Sequence, residues 1–262
     1  MIDNPRSPRV RAVAKLAKRS GRRETGHFLV EGPQAVRELL AFRPDDLVAL
    51  YATPAALERS GDLRSSSVPA ETVSDRVLEA MADTITPQGV VAVARQAPTP
   101  FDSLVALRPR LVAVLEEVRD PGNAGTIIRA ADAAGADAVV LTGRSVDAFN
   151  PKVVRSTTGS LFHLPIAQDV ELPDALDALR SVGCRVLAAD VSGDDLLEVR
   201  AAGDLDGPVS WLFGNEAHGL TEEQLALADR AVRVPIYGHA ESMNLSTAAS
   251  VCLYESAFAH RA

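Results

Sequence analysis

The stretch Leu111-Val112-Ala113-Val114-Leu115 leads through Asp120-Pro121-Gly122-Asn123-Ala124-Gly125-Thr126-Ile127-Ile128-Arg129 into Ala138-Val139-Val140-Leu141. Two short, uninterrupted apolar runs flank a segment of helical period from about Ala124 to Ala134. An unbroken apolar run suits a strand buried on both faces, and two parallel strands need a crossover of a dozen or so residues, usually a helix. The stretch therefore reads as a βαβ unit, and the fold class as α/β. Gly122 and Gly125 let backbone approach a ligand closely, Asn123 is a candidate helix cap, and Arg129 follows more than a turn further in.

The same alternation extends in both directions. Toward the C-terminus, apolar strands are expected at Arg185 to Ala189 and Val209 to Phe213, with a helix at Pro173 to Val182 before the first of them. Turn-rich flanks lie at Val191 to Asp195 and Gly203 to Pro208, and a last helix is expected from about Asn244 to Phe258. Toward the N-terminus, strands are expected at Phe28-Leu29-Val30, Leu47 to Tyr51 and Val90 to Val93, with a helix over Pro33 to Phe42. Thr53-Pro54 and Ser74-Asp75 read as helix starts, because a polar side chain caps free amides and proline fits a first turn. The two prolines of Gln96-Ala97-Pro98-Thr99-Pro100 favour an extended connection. The expected organisation is a small α/β domain over 1–95, a linker over 96–110 and a second domain over 111–262.

A chain of 262 residues, 47% of them hydrophobic, suffices for about two domains with buried cores. Its longest apolar runs fall far short of the roughly 18 residues that a membrane span needs, and its start is charged without an apolar signal region, so membrane and secreted classes are disfavoured. The two cysteines, Cys184 and Cys252, form no CxxC pair, and the five histidines have no metal-ligand spacing. No disulfide framework and no metal site are expected, and a reducing cytoplasm fits.

The net charge of −8 conceals an asymmetry. Residues 1–23 hold Arg6, Arg9, Arg11, Lys15, Lys18, Arg19, Arg22 and Arg23 against Asp3 alone, so an acidic body carries one basic arm. The local field of such an arm attracts phosphate although the whole molecule repels it. Aromatic residues make up only 4%, which argues against a stacking platform for single-stranded bases.

The sequence holds no GxxxxGK[ST], no GxGxxG after a strand and no GxSxG elbow, which disfavours several enzyme classes. Three polar clusters remain, each at a strand end. The first is Asp120 to Arg129. The second, Leu212-Phe213-Gly214-Asn215-Glu216-Ala217-His218-Gly219-Leu220, breaks a strand with two glycines around a carboxylate, where open α/β sheets bind ligands. The third runs from Val232 through Pro235, Gly238, Ser242 and Met243 to Asn244 and Ser246. Each also has a plain structural reading as a capped turn, with Thr221 as the cap in the second and Asn244 or Ser242 in the third.

Together, Asn123-x-Gly125-x-x-x-Arg129, Phe213-Gly214-Asn215-Glu216-x-x-Gly219 and Val234-Pro235-x-x-Gly238-x-x-x-Ser242-x-Asn244 resemble, in order and spacing, the three signature motifs of the SpoU/TrmH-type RNA ribose 2′-O-methyltransferases of the SPOUT superfamily. The resemblance covers about residues 111–258. A weaker one, through the basic stretch and Phe28-Leu29-Val30-Glu31-Gly32, links residues 1–95 to the family's RNA substrate-binding domain of ribosomal-protein-like α/β fold.

The resemblance implies a C-terminal SPOUT domain, a parallel sheet flanked by helices and closed by a deep trefoil knot, working as a homodimer. It implies S-adenosyl-L-methionine as cofactor, held around Ala188, Ala189, Asp190, Gly214, Val234, Ile236 and Met243, the last standing where the family usually has Leu. It implies methyl transfer to a ribose 2′-hydroxyl without a metal. Arg129 matches the arginine often proposed as general base; Asn123 orients it or the ribose, and Glu216, Ser242 and Asn244 position the nucleotide and hold the loops. Arg6, Arg9, Arg11, Lys15, Lys18, Arg19, Arg22 and Arg23 then contact RNA phosphates. Ribosomal RNA, 23S first, is the expected substrate. The alternatives are a transfer RNA 2′-O-methyltransferase and a non-catalytic RNA-binding ribosome-assembly factor.

Overall fold

The computed structural model describes residues 1–60, 63 and 68–261. In chain order the first helices and strands are α1 (Pro8–Ala14), α2 (Arg19–Thr25), β1 (His27–Glu31), α3 (Pro33–Phe42), β2 (Leu47–Ala52), α4 (Pro54–Arg59), β3 (Ala70–Thr72), α5 (Asp75–Met81) and β4 (Val90–Arg95). Then come α6 (Phe101–Ala106), β5 (Leu111–Glu116), α7 (Pro121–Ala134), β6 (Ala138–Thr142), α8 (Pro151–Thr157), β7 (Ile166–Val170) and α9 (Leu172–Ser181). The chain ends with β8 (Arg185–Asp195), α10 (Leu196–Ala201), β9 (Val209–Phe213), α11 (Glu222–Ala226), β10 (Arg230–Arg233) and α12 (Leu245–Ala259). Two compact units result: Met1–Ala97 with Phe149–His163, and Pro98–Ala148 with Leu164–Ala262.

In the first unit a four-stranded sheet of order β1-β4-β2-β3 has antiparallel pairs except for the parallel β2 and β3. The basic N-terminal segment is not a free arm. Val10, Val13 and Leu16 recur at helical spacing and are buried against Leu29, Tyr51 and Val93 of the sheet and Val77, Leu78 and Met81 of α5. Phe149–His163, counted with residues 111–262 by the sequence reading, belongs to this unit. The Phe149 and Phe28 rings lie 4.8 Å apart, and Arg155 is ion-paired to the buried Glu31 at 2.9 Å. No apolar period marks these contacts, because they join side chains more than a hundred positions apart.

The second unit is a six-stranded parallel sheet of order β10-β8-β9-β5-β6-β7. Its central strands are buried along their whole length, the arrangement their unbroken apolar runs require. Val112, Val114, Val140, Val186 and Leu212 share one core with Leu176 and Leu179 of α9. On another side, α12 buries Cys252, Leu253 and Ser256, and the Trp211 indole N–H donates to Ser256 Oγ at 2.8 Å inside the sheet–helix contact.

Three local expectations are corrected. Helix α7 starts at Pro121 with Asp120 as its cap, the carboxylate accepting from Asn123 N–H at 2.8 Å, so Asn123 lies inside the first turn and is not the cap. Residues 101–106, expected as part of an extended linker, form α6. Val191 to Asp195 is strand, not turn: β8 continues to Asp195 and rejoins β10 at Asp194 and Asp195.

Candidate active site

The site assembles beyond the carboxyl ends of β5, β9 and β10 and at an irregularity inside β8. Strand β8 pairs with β9 and β10 only as far as Ala188; between Ala188 and Asp194 its partner strand advances by one residue, so 189–193 stand outside the ladder. This loop leans directly on β10, since a Cβ on Gly193 would lie 2.3 Å from the Val232 nitrogen. The chain after β9 turns on itself: Asn215 and Gly219 exchange backbone hydrogen bonds, and the Asn215 Oδ1 accepts from Ala217 N–H at 2.9 Å. A Cβ on Gly214 would meet the Gly219 carbonyl carbon at 2.6 Å, which is why glycine is needed at the base of this loop. Thr221 and Gln224 form a capping box that stops the loop and starts α11.

These loops and the segment after β10 enclose a cavity of about 350 Å³, within the roughly 300–1,000 Å³ range of small-molecule sites. Ala189, Asp190, Val234, Ile236 and Met243 line it, as do Glu216 and Ser242. Ala188 and Gly214 do not: the first is buried within β8 and the second packs beneath its own loop. Asn215, His218 and Leu245 line the cavity as well, though no site role was expected of them. Asn215 and His218 lie inside the quoted second cluster, but only a folded loop tells which of its residues face a ligand.

Beside the cavity, three of the expected catalytic residues are joined. Glu216 accepts from the backbone N–H of Arg119 (3.2 Å) and Asp120 (3.0 Å) and from Asn123 Nδ2 (3.3 Å). Asn123 Oδ1 in turn accepts from Asn244 Nδ2 at 3.1 Å, while Asn244 Oδ1 caps α12 through Ser246 N–H at 2.9 Å. A carboxylate on the second cluster thus ties down the helix start of the first, which is tied to the helix start of the third. Arg129 is exposed on α7 beside Thr126, three positions back along the helix. Ser242 is exposed at the cavity wall.

Two neighbouring carboxylates behave oppositely. Glu117, held in the left-handed region (φ 50°), accepts from Arg144 Nε (3.2 Å) and Arg119 Nη2 (2.7 Å), and these bonds hold its carboxyl below the usual range. Glu116 is buried, which pushes its carboxyl up despite bonds from Thr142 Oγ1 (2.6 Å) and Gln224 Nε2 (2.9 Å). Through Gln224, Glu116 braces the capping box that closes the Glu216 loop.

In the first unit, Arg6, Arg11, Lys15, Lys18, Arg19 and Arg23 are exposed. Arg9 is exposed too, but its guanidinium is paired with Glu71 and donates to the Tyr51 hydroxyl at 3.1 Å. Arg22 is the correction: it is 1% exposed, and its Nη1 donates to the carbonyls of Leu16 and Ala17, both at 3.0 Å. It braces the turn between α1 and α2 and is not offered to a phosphate. Among the described residues there is no cluster of His, Cys, Asp or Glu able to hold a metal ion, and no helix long and apolar enough to cross a membrane.

A parallel α/β unit with a ligand cleft at its strand ends, joined to a smaller unit bearing exposed basic helices, is the arrangement of an enzyme that holds a small molecule at the cleft and a polyanion on its basic surface. The chain belongs to the SpoU rRNA Methylase family, which matches residues 110–254, while an MRM3-like substrate binding domain matches residues 7–92. It is similar to the 23S rRNA (guanosine(2553)-2′-O)-methyltransferase RlmP of Bacillus subtilis, at 33% identity over 97% of both chains. It also resembles the 23S rRNA (uridine(2479)-2′-O)-methyltransferase of Streptomyces viridochromogenes, at 31% identity over 93% of this chain and 86% of that one. Among solved structures, an rRNA methyltransferase from Sinorhizobium meliloti aligns with a TM-score of 0.83 at 32% identity, covering 97% of this chain and 96% of that one. The SpoU methyltransferase AviRb from Streptomyces viridochromogenes, in complex with AdoMet, aligns with a TM-score of 0.82 at 29% identity, covering 96% and 98%.

Proposed function

We propose that this enzyme methylates a ribose 2′-hydroxyl of ribosomal RNA, 23S rRNA first, using S-adenosylmethionine. The observation that carries the reading is the chain of bonds from Glu216 to Asn123 to Asn244, which holds three separate loops together at the edge of one cavity. The cavity fits the cofactor in chemistry: Val234, Ile236, Met243 and Leu245 offer apolar contact, whereas Asp190, Asn215 and Ser242 offer polar groups for a nucleoside. Ala189, Asp190, Val234, Ile236 and Met243 would hold it; Ala188 and Gly214 shape the loops behind them. When bound, the cofactor supplies a methyl group already activated by its sulfonium, so no metal is needed.

Arg129 stabilises the developing 2′ oxyanion or holds the adjacent phosphate. A guanidinium is a poor proton acceptor, so the 2′-hydroxyl proton would leave to water as the methyl group passes from sulfur to oxygen. Asn123 and Glu216 set the start of the helix that carries it, and Ser242 and Asn244 orient the nucleotide. Arg6, Arg11, Lys15, Lys18, Arg19 and Arg23, with a smaller share from Arg9, contact RNA phosphates, which positions the substrate without reading its sequence. The enzyme acts in the cytoplasm as a homodimer, and the exposed Tyr254 and Phe258 of α12, with ring centroids 5.7 Å apart, suit an apolar partner surface. Its C-terminal segment closes into a trefoil knot.

The test is transfer of radiolabel from S-adenosylmethionine into separated 23S, 16S and transfer RNAs, followed by alkaline hydrolysis. Label in an alkali-resistant dinucleotide of 23S rRNA is expected, and Arg129→Ala should abolish it while cofactor binding persists. Label in transfer RNA alone would move the substrate to that class. No label in any pool, despite cofactor binding, would favour a non-catalytic RNA-binding role.

A further inference from the structure

The first unit holds a second cavity, of about 360 Å³, at the turn from β1 into α3. Gln34, Thr84, Thr86, Gln88 and Thr158 contribute neutral hydrogen-bonding side chains to its wall. Its floor is a fixed ionic cluster. Glu31, with a side chain only 3% exposed, accepts from Thr84 N–H at 3.1 Å and from Arg155 Nη1 at 2.9 Å, and Arg155 Nη1 also meets Asp83 at 2.9 Å. This cluster pins residues 83–84 and helix α8 to the end of β1. Gly32, at φ +88°, leaves room for Gln88, whose Oε1 would lie 3.2 Å from a Cβ there.

Charge and chemistry narrow the occupant. One guanidinium faces two carboxylates in the cluster, so a phosphate entering the cavity meets net negative charge. A neutral, planar group rich in donors and acceptors meets amides and hydroxyls of both kinds. Among the described residues no side-chain hydrogen bond engages Thr86 or Gln88, and between Thr84 and Thr86 stands Ile85, which is 96% exposed. An apolar side chain beside a set of amides and hydroxyls suits the face and edge of an unpaired nucleobase, the feature by which RNA sequence is most often read.

We infer that this cavity takes one unpaired base of the RNA substrate and reads its edge through Gln88 and Thr86. The inference rests on the proposed RNA methyltransferase function and adds a sequence-reading site to it, separate from the cofactor cavity. The exposed basic residues then dock the backbone, and this cavity selects which loop is docked.

The experiment uses the full-length protein, radiolabelled S-adenosylmethionine and in vitro transcribed 23S rRNA, with Gln88→Ala and Thr86→Val as variants. Both residues are exposed, so thermal unfolding should stay at the wild-type value. Each substitution should raise KM for RNA by about tenfold, as loss of a base contact does, with kcat and cofactor affinity unchanged. The slope of log KM against log salt should also stay unchanged, since no phosphate contact is removed. An RNA KM within twofold of wild type, or a shallower salt slope, would overturn the inference while leaving the methyltransferase reading intact. A wild-type protein that labels no RNA would instead overturn that reading, and this inference with it.

Discussion

Replacing Glu216 by alanine should loosen the active site before it touches the cofactor. The carboxylate accepts two backbone N–H groups, of Arg119 and Asp120, and the side-chain amide of Asn123, at 3.0–3.3 Å. Hydrogen bonds to a charged group are worth about 1.5–3 kcal/mol each when water is excluded. Glu216 is exposed, however, so water replaces most of what is lost, and about 1–2 kcal/mol in total is the reasonable sum. For a chain of this size that corresponds to a fall in Tm of about 3–6 °C. The kinetic effect should be larger, because a misplacement of about 1 Å at a reacting group costs on the order of a hundredfold. Glu216→Gln should resemble Glu216→Ala: a glutamine presents one acceptor where two are used, and turns its own NH₂ toward a backbone N–H. Differential scanning fluorimetry, cofactor titration calorimetry and single-turnover methyl transfer measure the three consequences. Wild-type Tm and rate in Glu216→Ala would refute the tether, and loss of cofactor binding with unchanged Tm would make Glu216 a cofactor ligand instead.

Gly193→Ala should destabilise the second unit, because its Cβ would stand 2.3 Å from the backbone of Ala231 and Val232 and force β10 away from β8; an overpacking cost of about 1–3 kcal/mol or more is expected in urea unfolding, and wild-type stability would contradict it. Glu116 titrates above the usual carboxyl range because it is buried, so its ionisation is costlier in the folded chain than in the unfolded one. Stability from this group is therefore fully present below the unfolded value, about 4.3, and is lost as pH rises through the folded value. Glu116→Gln should gain on the wild type as pH rises above about 4.3, and parallel stability profiles would show that the group is not desolvated. Burial pushes Cys184 up to about 11 and raises Cys252 as well, so a thiol reagent at neutral pH should label neither until denaturant unfolds the chain. Rapid labelling of the native protein would contradict their burial.

The amino-acid sequence by itself determined the alternation of elements and the identity of the family. Strands such as Val209–Phe213, helices such as Pro33–Phe42 and the cap at Asn244 follow from signals within a few residues: an apolar run, a proline at the first turn, a side-chain acceptor. The three polar clusters were legible for the same reason, since each begins at or just after the end of a strand. Tertiary structure decided what those loops do to one another. Asn123 meets Glu216 across 93 positions and Asn244 across 121, and no local pattern encodes such a bond. It also decided which charges are surface charges. Arg22 looks like its basic neighbours in the chain, yet it is buried against the carbonyls of Leu16 and Ala17, while Arg23 beside it is exposed. Helical spacing likewise sets the direction of Val10, Val13 and Leu16, but their packing partners exist only once β1, β2, β4 and α5 have come together. Phe149–His163 joins the first unit for the same reason: a buried carboxylate at Glu31 needs a cation, and folding supplies Arg155 from 124 positions away.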